Sequence, residues 1–317
     1  MPGLALAPFS DEHLDAAGEL LAARHARHRR AEPLLAERFE DPAIARLEVE
    51  ALFRAEGASG TVATRDGVIV GYLVGTPKDA MWGANIWVDP AGHAADDPET
   101  VRDLYGAAAA RWVEEARTRH YVLVPATDGR SIDAWFRVGF GQQHAHGIRQ
   151  ARPEAWPEGA RLAEPGDIDG MVEVAPLIGR HQLLSPVFSE MRNEGDPAEL
   201  RREIEEDLTK PEIGNLVAEL DGRVVGNFVM VPTEMSSAHT SLARPDRSCF
   251  LGFAATDPSV RGSGAGLALT HACFAWAAER GYESMVTDWR VTNLLSSRFW
   301  PKRGFRETFL RLYRSIP

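Results

Sequence analysis

The sequence predicts an α/β protein made of two tandem copies of one domain, each a mixed, mostly antiparallel sheet flanked by helices. Three observations carry this. Asp66-Gly67-Val68-Ile69-Val70-Gly71 returns as Asp221-Gly222-Arg223-Val224-Val225-Gly226, 155 positions on. Ser131, Trp135, Gly139 and Phe140 return at the same mutual spacing as Ser296, Trp300, Gly304 and Phe305, 165 positions on. Finally, 317 residues with 44% hydrophobic content exceed one small core and suit two domains of roughly 150 residues. The difference between the two offsets falls in a loop, where extra residues cost little.

The elements follow in order. Leu6-Ala7 before Asp11 matches Leu162-Ala163 before Asp167, each leading into a helical pattern. Asp-Gly flanked by apolar alternation signals a hairpin, because both turn positions of a type I′ turn need positive φ. The second strands of the two hairpins end at Pro77 and Pro232. In the second half the pattern predicts a strand near Leu162, helices over 167–177 and 197–208, and strands over 215–220 and 223–231. A strand over 249–256, a helix over 264–280 and a strand over 284–288 come next. A short helix over 293–303 and a final strand from Arg306 close it. Pro153, Pro157 and Gly159 interrupt any period between Ala151 and Ala160. The domains are therefore 1–152 and 160–317.

Composition narrows the function. A net charge of −11 argues against nucleic acid, whose phosphates demand basic surface. It is a solvated acidic surface that also favours a cationic substrate. No run reaches the ~20 apolar residues of a membrane span. The opening Met1-Pro2-Gly3-Leu4-Ala5 has no basic region before an apolar core, so no secretory signal is expected. Cys249 and Cys273 lack metal-like spacing and read as two buried reduced thiols, which fits a cytoplasmic protein.

The segment Pro258-Ser259-Val260-Arg261-Gly262-Ser263-Gly264-Ala265-Gly266 lies between an apolar strand and an apolar helix. Strand, glycine-rich turn, helix presents free backbone N–H groups and a positive dipole end to phosphate. Glycines permit close approach, and Arg261 adds a charged hydrogen bond. The spacing does not fit a dinucleotide turn, and no Lys follows the glycines as in a Walker loop.

This segment resembles the pyrophosphate loop of the GCN5-related N-acetyltransferase (GNAT) superfamily, Arg/Gln-x-x-Gly-x-Gly/Ala, through Arg261, Gly264 and Gly266. Pro258 is also as in that family. Downstream, Asn293, Phe299, Gly304 and Phe305 meet the family pattern Asn-x-x-Ala-x-x-Leu/Phe-Tyr-x-x-x-Gly-Phe, with Ser296 for the Ala and Trp300 for the Tyr. The resemblance covers about Ala160 to Pro317 and implies acetyl-CoA as acyl donor. It implies that Ala254, Ala255 and Thr256 bond the pantetheine arm. Arg261, Gly262, Ser263, Gly264, Ala265 and Gly266 then hold the pyrophosphate, Asn293 lies near the thioester, and Trp300 packs against the cofactor. Asn293 also suits a helix N-cap.

Transfer to an amine needs a neutral nitrogen, a polarised carbonyl and a proton for the leaving thiolate. Many family members use the Tyr for that proton, and the indole of Trp300 cannot supply it. Asp288 is the first candidate base. It stands five residues before Asn293, the offset of the catalytic Glu in ribosomal-protein alanine acetyltransferases; as a strand-end Asp it also suits a salt bridge. Glu234, in the polar connection after Pro232, is the second and also reads as a surface carboxylate.

The histidines read more plainly. His144 and His146 read as surface histidines with no third metal ligand, and no metal is expected. His25 and His28 read as part of a solvated basic helix end, Arg24–Arg30. His181 and His271 can approach the site, with nothing in the spacing to single them out.

The first half carries no such loop. It reads Val88-Asp89-Pro90-Ala91-Gly92-His93-Ala94-Ala95-Asp96-Asp97, and has Leu123 and Asp128 where the second has Asp288 and Asn293. It is expected to be a degenerate, structural or substrate-shaping copy, a layout similar to that of mycothiol synthase. The resemblance implies an N-acetyltransferase for a primary amine of a small molecule. The substitution at Trp300 keeps a non-catalytic acyl-CoA-binding protein open, and a protein amine is the other alternative. Substrate contacts are expected from segments 178–194 and 233–247, in a monomer or homodimer.

Overall fold

A computed structural model of the chain describes residues 3–78, 82–189 and 196–317. Of the expected substrate-contact segments, residues 190–194 lie outside the described residues. The chain forms two compact units. Unit 1 comprises residues 1–146, 241–244 and 307–317; unit 2 comprises 147–240 and 245–306.

The first half supplies β1 (Ala5–Pro8), α1 (Leu14–Ala31), α2 (Pro42–Phe53), β2 (Ser59–Arg65), β3 (Val68–Gly75), β4 (Asn85–Val88), β5 (His93–Ala95), α3 (Thr100–Glu114), β6 (Arg119–Pro125), α4 (Gly129–Arg137) and β7 (Gly141–Gln150). The second supplies β8 (Ala160–Leu162), α5 (Ile168–Val174), α6 (Pro176–Gln182), α7 (Pro197–Leu208), β9 (Gly214–Leu220), β10 (Arg223–Pro232), β11 (Ser248–Thr256), α8 (Ala265–Glu279), β12 (Ser284–Arg290), α9 (Ser296–Phe299) and β13 (Arg306–Ser315). Both units are mixed α/β, with sheets flanked by helices. Unit 1 has an antiparallel sheet β1-β2-β3-β5 and strands in the order β4-β6-β13-β7, with β4 parallel to β6. In unit 2 the end of β7 is followed by β12-β11-β10-β9-β8, with β11 and β12 parallel and β11-β10-β9-β8 antiparallel. The last strand of the chain, from Glu307 on, belongs to unit 1, where β13 lies between β6 and β7.

Local chemistry repeats with the fold. Asp66 and Gly67 have φ of 52° and 79°, and Asp221 and Gly222 have 51° and 74°, the two positive values of a type I′ turn. Asp41 accepts from the Ala43 N–H at 2.8 Å and Asp196 from the Ala198 N–H at 3.0 Å, each followed by a proline at the first helical position. This Asp-Pro-Ala pair, also 155 positions apart, is a further copy of the repeat. Gly139 and Gly304 have φ of 87° and 83° and turn the chain after Trp135 and Trp300. The helix expected over 167–177 breaks into α5 and α6 at Ala175-Pro176. The one expected over 293–303 stops at Phe299 before Pro301. In both places proline lacks the N–H that would continue the helix.

Leu14, Leu21, Phe39, Tyr72, Tyr121 and Phe309 anchor the core of unit 1, and Met171, Val174, Val217, Val224 and Ala255 a core of unit 2. Gly214 at the start of β9 is a close-approach position: a Cβ there would lie 2.5 Å from the ring of the fully buried Trp276. Gly214→Ala is therefore expected to destabilise the protein by about 1–3 kcal/mol. Urea unfolding checks this, and an unchanged midpoint would contradict it.

Candidate active site

Unit 2 opens a fork in its sheet. β11 and β12 pair in parallel from Ser248 opposite Ser284 to Leu251 opposite Thr287, and the pairing stops there. Thr287 Oγ1 closes the crotch by donating to the Leu251 carbonyl at 3.0 Å. Beyond it β11 continues to Thr256, paired among the described residues only with β10. A bulge makes this possible: Val229 faces Phe253 while Met230 faces Leu251, leaving Gly252 as the extra residue. A lone glycine inside a predicted strand is the sequence signal for such a bulge. Along the open side, alternate residues of Gly252–Thr256 turn backbone N–H and C=O groups into the fork. The stretch Ala254, Ala255 and Thr256 borders it.

The glycine turn sits at the far end of that strand. Residues 258–260 form one 3-10 turn, and α8 starts at Ala265. Asp257 fixes the turn by accepting from the Ser259 N–H at 2.8 Å and by pairing with Arg223 at 2.9 Å. Hydrogen bonds from Ser259 hold its carboxyl below the ordinary Asp range. Gly262 and Gly264 have φ of 91° and 94°, which only glycine adopts freely. Arg261, Gly262, Ser263 and Gly264 are exposed, while Ala265 and Gly266 are half-buried. The N–H groups of Gly262, Gly264 and Gly266 have no hydrogen-bond partner among the described residues, and Arg261 has no ion-pair partner there. A free guanidinium and free N–H groups at a helix N-terminus make an anion cradle.

Asp288 is the first residue of β12 past the paired segment and is half-buried at the crotch. Asn293, three residues beyond β12, caps the turn before α9: its Oδ1 accepts from the Leu295 N–H at 3.1 Å and the Ser296 N–H at 3.3 Å. Asp128 caps the matching turn in unit 1, accepting from Ser131 N–H at 3.0 Å. Trp300 is 6% exposed and packs on Phe228, Phe299 and Phe305. Glu234 is not brought to the fork. Pro232 pairs with Cys249, so Glu234 lies past the opposite end of β11 and is exposed. Sequence reasoning did not single out His181. α6 packs on β11, and His181 Nε2 donates to Asn293 Oδ1 at 3.2 Å.

Unit 1 has the same fork, filled by its own side chains. β4 pairs with β6 up to Val88 opposite Val122, and β5 resumes on β3 after a four-residue excursion, Asp89–Gly92. His93 Nε2 donates across to the Leu123 carbonyl at 3.0 Å. The Arg24 guanidinium donates to the carbonyls of Pro90 and His93, and Tyr72 Oη to that of Ala91 at 2.7 Å. All three side chains are buried. One face of the helix end read as solvated is therefore core: Arg24 is 5%, His25 1% and His28 3% exposed, while Arg27 and Arg30 stay exposed. His144 and His146 are likewise buried rather than on the surface. Burial lowers the pKa of His25 to about 4 and of His28 and His93 to about 3, with the charge of Arg24 adding to it. Cys249 and Cys273 are buried and unpaired, and burial pushes both thiols up.

Residues 180–305 match the family model described as Acetyltransferase (GNAT) family. No curated protein matches the chain. Among solved structures, a GCN5-related N-acetyltransferase from Sphaerobacter thermophilus is similar at 14% identity and a TM-score of 0.59, over 98% of this chain and 95% of that one. A glucosamine N-acetyltransferase region of a fungal multi-domain beta-N-acetylglucosaminidase is similar at 15% identity and a TM-score of 0.55, over 99% of this chain and 38% of that one. At these identities the likeness is one of fold, and in the first case it takes in both units. No helix among the described residues is long and apolar enough to cross a membrane. Residues 180–305, which carry the fork and its glycine turn, are thus similar to the Acetyltransferase (GNAT) family, and the fold of the chain is similar to that of a solved GCN5-related N-acetyltransferase.

Proposed function

We propose that unit 2 binds acetyl-CoA and transfers its acetyl group to a primary amine of a small molecule. One observation carries the reading: the fork opens directly toward a glycine turn whose three free N–H groups and free Arg261 suit a pyrophosphate. The pantetheine arm lies along Ala254–Thr256 as an added strand, through main-chain hydrogen bonds. Asp288, at the crotch, attracts the ammonium and accepts, directly or through water, the proton that frees the amine. The two buried, unpaired thiols fit a reducing cytoplasm.

Titration calorimetry is expected to give one acetyl-CoA per chain, because the fork of unit 1 is closed by Arg24, Tyr72 and His93. Two equivalents would contradict this. Thiol release measured over a panel of small amines tests the transfer. Tight binding without turnover on any small amine or peptide N-terminus would favour a non-catalytic acyl-CoA-binding protein. The burial of Trp300 in place of an acid motivates that second reading.

A further inference from the structure

We propose that His181 carries the proton to the departing thiolate, the task for which Trp300 has no suitable group. The inference rests on the acetyl-transfer reading above and adds a residue to it.

Two backbone N–H groups, of Leu295 and Ser296, point at one atom of the Asn293 amide. That atom must be the oxygen, since an NH2 group cannot accept. The same oxygen meets His181 Nε2 at 3.2 Å, so Nε2 must carry hydrogen. In the neutral ring Nδ1 is then the lone-pair nitrogen. No hydrogen bond engages Nδ1 among the described residues.

Placement supplies the rest. α6 packs on β11, the strand with the open edge, and Asn293 follows β12, the other arm of the fork. His181 is half-buried. Imidazole is the side-chain type that takes up and gives back a proton near neutral pH. By contrast, Trp300 lies within its aromatic cluster, and an indole releases no proton there.

The step balances. The amine nitrogen attacks the thioester carbon and forms the C–N bond. Collapse of the adduct breaks the C–S bond, with the electron pair leaving on sulfur. The proton shed by the nitrogen goes to His181 Nδ1 and from there to sulfur. The products are the acetamide and the CoA thiol, and the imidazole ends neutral as it began.

The test uses the full chain labelled with 15N, two probes (CoA and desulfo-CoA, which lacks the thiol), and His181→Gln to identify the ring signals. The free protein is expected to show the Nε2–H tautomer. CoA is expected to shift the Nδ1 resonance clearly, and desulfo-CoA to leave it nearly unmoved. An Nδ1–H tautomer, or equal shifts with both probes, would overturn the proposal. If the amides of Gly262, Gly264 and Gly266 also stay unmoved with CoA, the cofactor reading itself falls. If they move while Nδ1 does not, only the role of His181 falls. With an accepted amine, His181→Gln, which can still donate to Asn293, should lower kcat by about 10²–10⁴-fold at unchanged KM for acetyl-CoA. A kcat within about threefold of the parent, where proton transfer should matter by orders of magnitude, would also overturn it.

Discussion

Lowering the pH below 6.5 is expected to remove about 4 kcal/mol of stability per pH unit, and to unfold the protein near pH 5. The sign follows from three buried histidines. His25, His28 and His93 have folded pKa values of about 4, 3 and 3, all below the ordinary 6.5. Below 6.5 the unfolded chain binds three protons that the folded chain refuses. Each costs about 1.4 kcal/mol per unit until its folded pKa is reached. Above about pH 7.5 both states are neutral at these sites, and their contribution is flat. Urea unfolding at several pH values measures the slope, which should correspond to about three protons or more, since burial also lowers the pKa of His120. His28→Leu should reduce it by one proton, since His28 sits edge-on to Phe309 at 4.9 Å inside the core. A stability that does not change between pH 7 and 5.5 would show these rings to be solvated, as the basic run of the sequence suggests.

The second large effect concerns the glycine turn. Gly264→Val is expected to weaken acetyl-CoA binding by about 30-fold or more while the protein stays folded. A β-branched residue at φ of 94° is strained, and the turn would relax and re-aim its free N–H groups. The site is exposed and a Cβ there meets nothing within 4 Å, so the strain falls on the turn rather than on the core. Arg261→Ala should cost less, about tenfold, because an exposed guanidinium contributes one charge-assisted contact. Fluorescence or calorimetric titration measures both. An affinity for Gly264→Val within about threefold of the parent would remove the turn from the binding site.

The hairpins, the glycine turn and the Trp-Gly-Phe motif were legible because each rests on local backbone chemistry. Positive φ selects Gly and Asp whatever surrounds them. Two other features were not legible for the opposite reason. Leu14, Ala17, Leu21, His25 and His28 lie three or four apart on one face of α1, and all are buried. The stripe therefore continues in phase into the histidines, but polar residues hid it from an apolar pattern. Its phase was the available signal. His181 had no signal at all, since its partner Asn293 lies 112 positions away and the contact exists only after folding. Asp288 and Asn293 fell near the fork because strand ends are set by local pattern. Glu234 fell away from it because only strand register, a non-local property, shows which end of β10 faces the opening.

The placement of β13 gives the chain an order of assembly. Unit 1 contains residues 1–146, yet the strand between its β6 and β7 is residues 307–315. A ribosome delivers that strand long after the rest of unit 1. Until then β6 presents an unpaired edge along His120–Pro125, apolar and ready to accept a wrong strand. Unit 1 thus starts first and finishes last. A chain cut short before Glu307 would lose the middle of its first domain, not the end of its second.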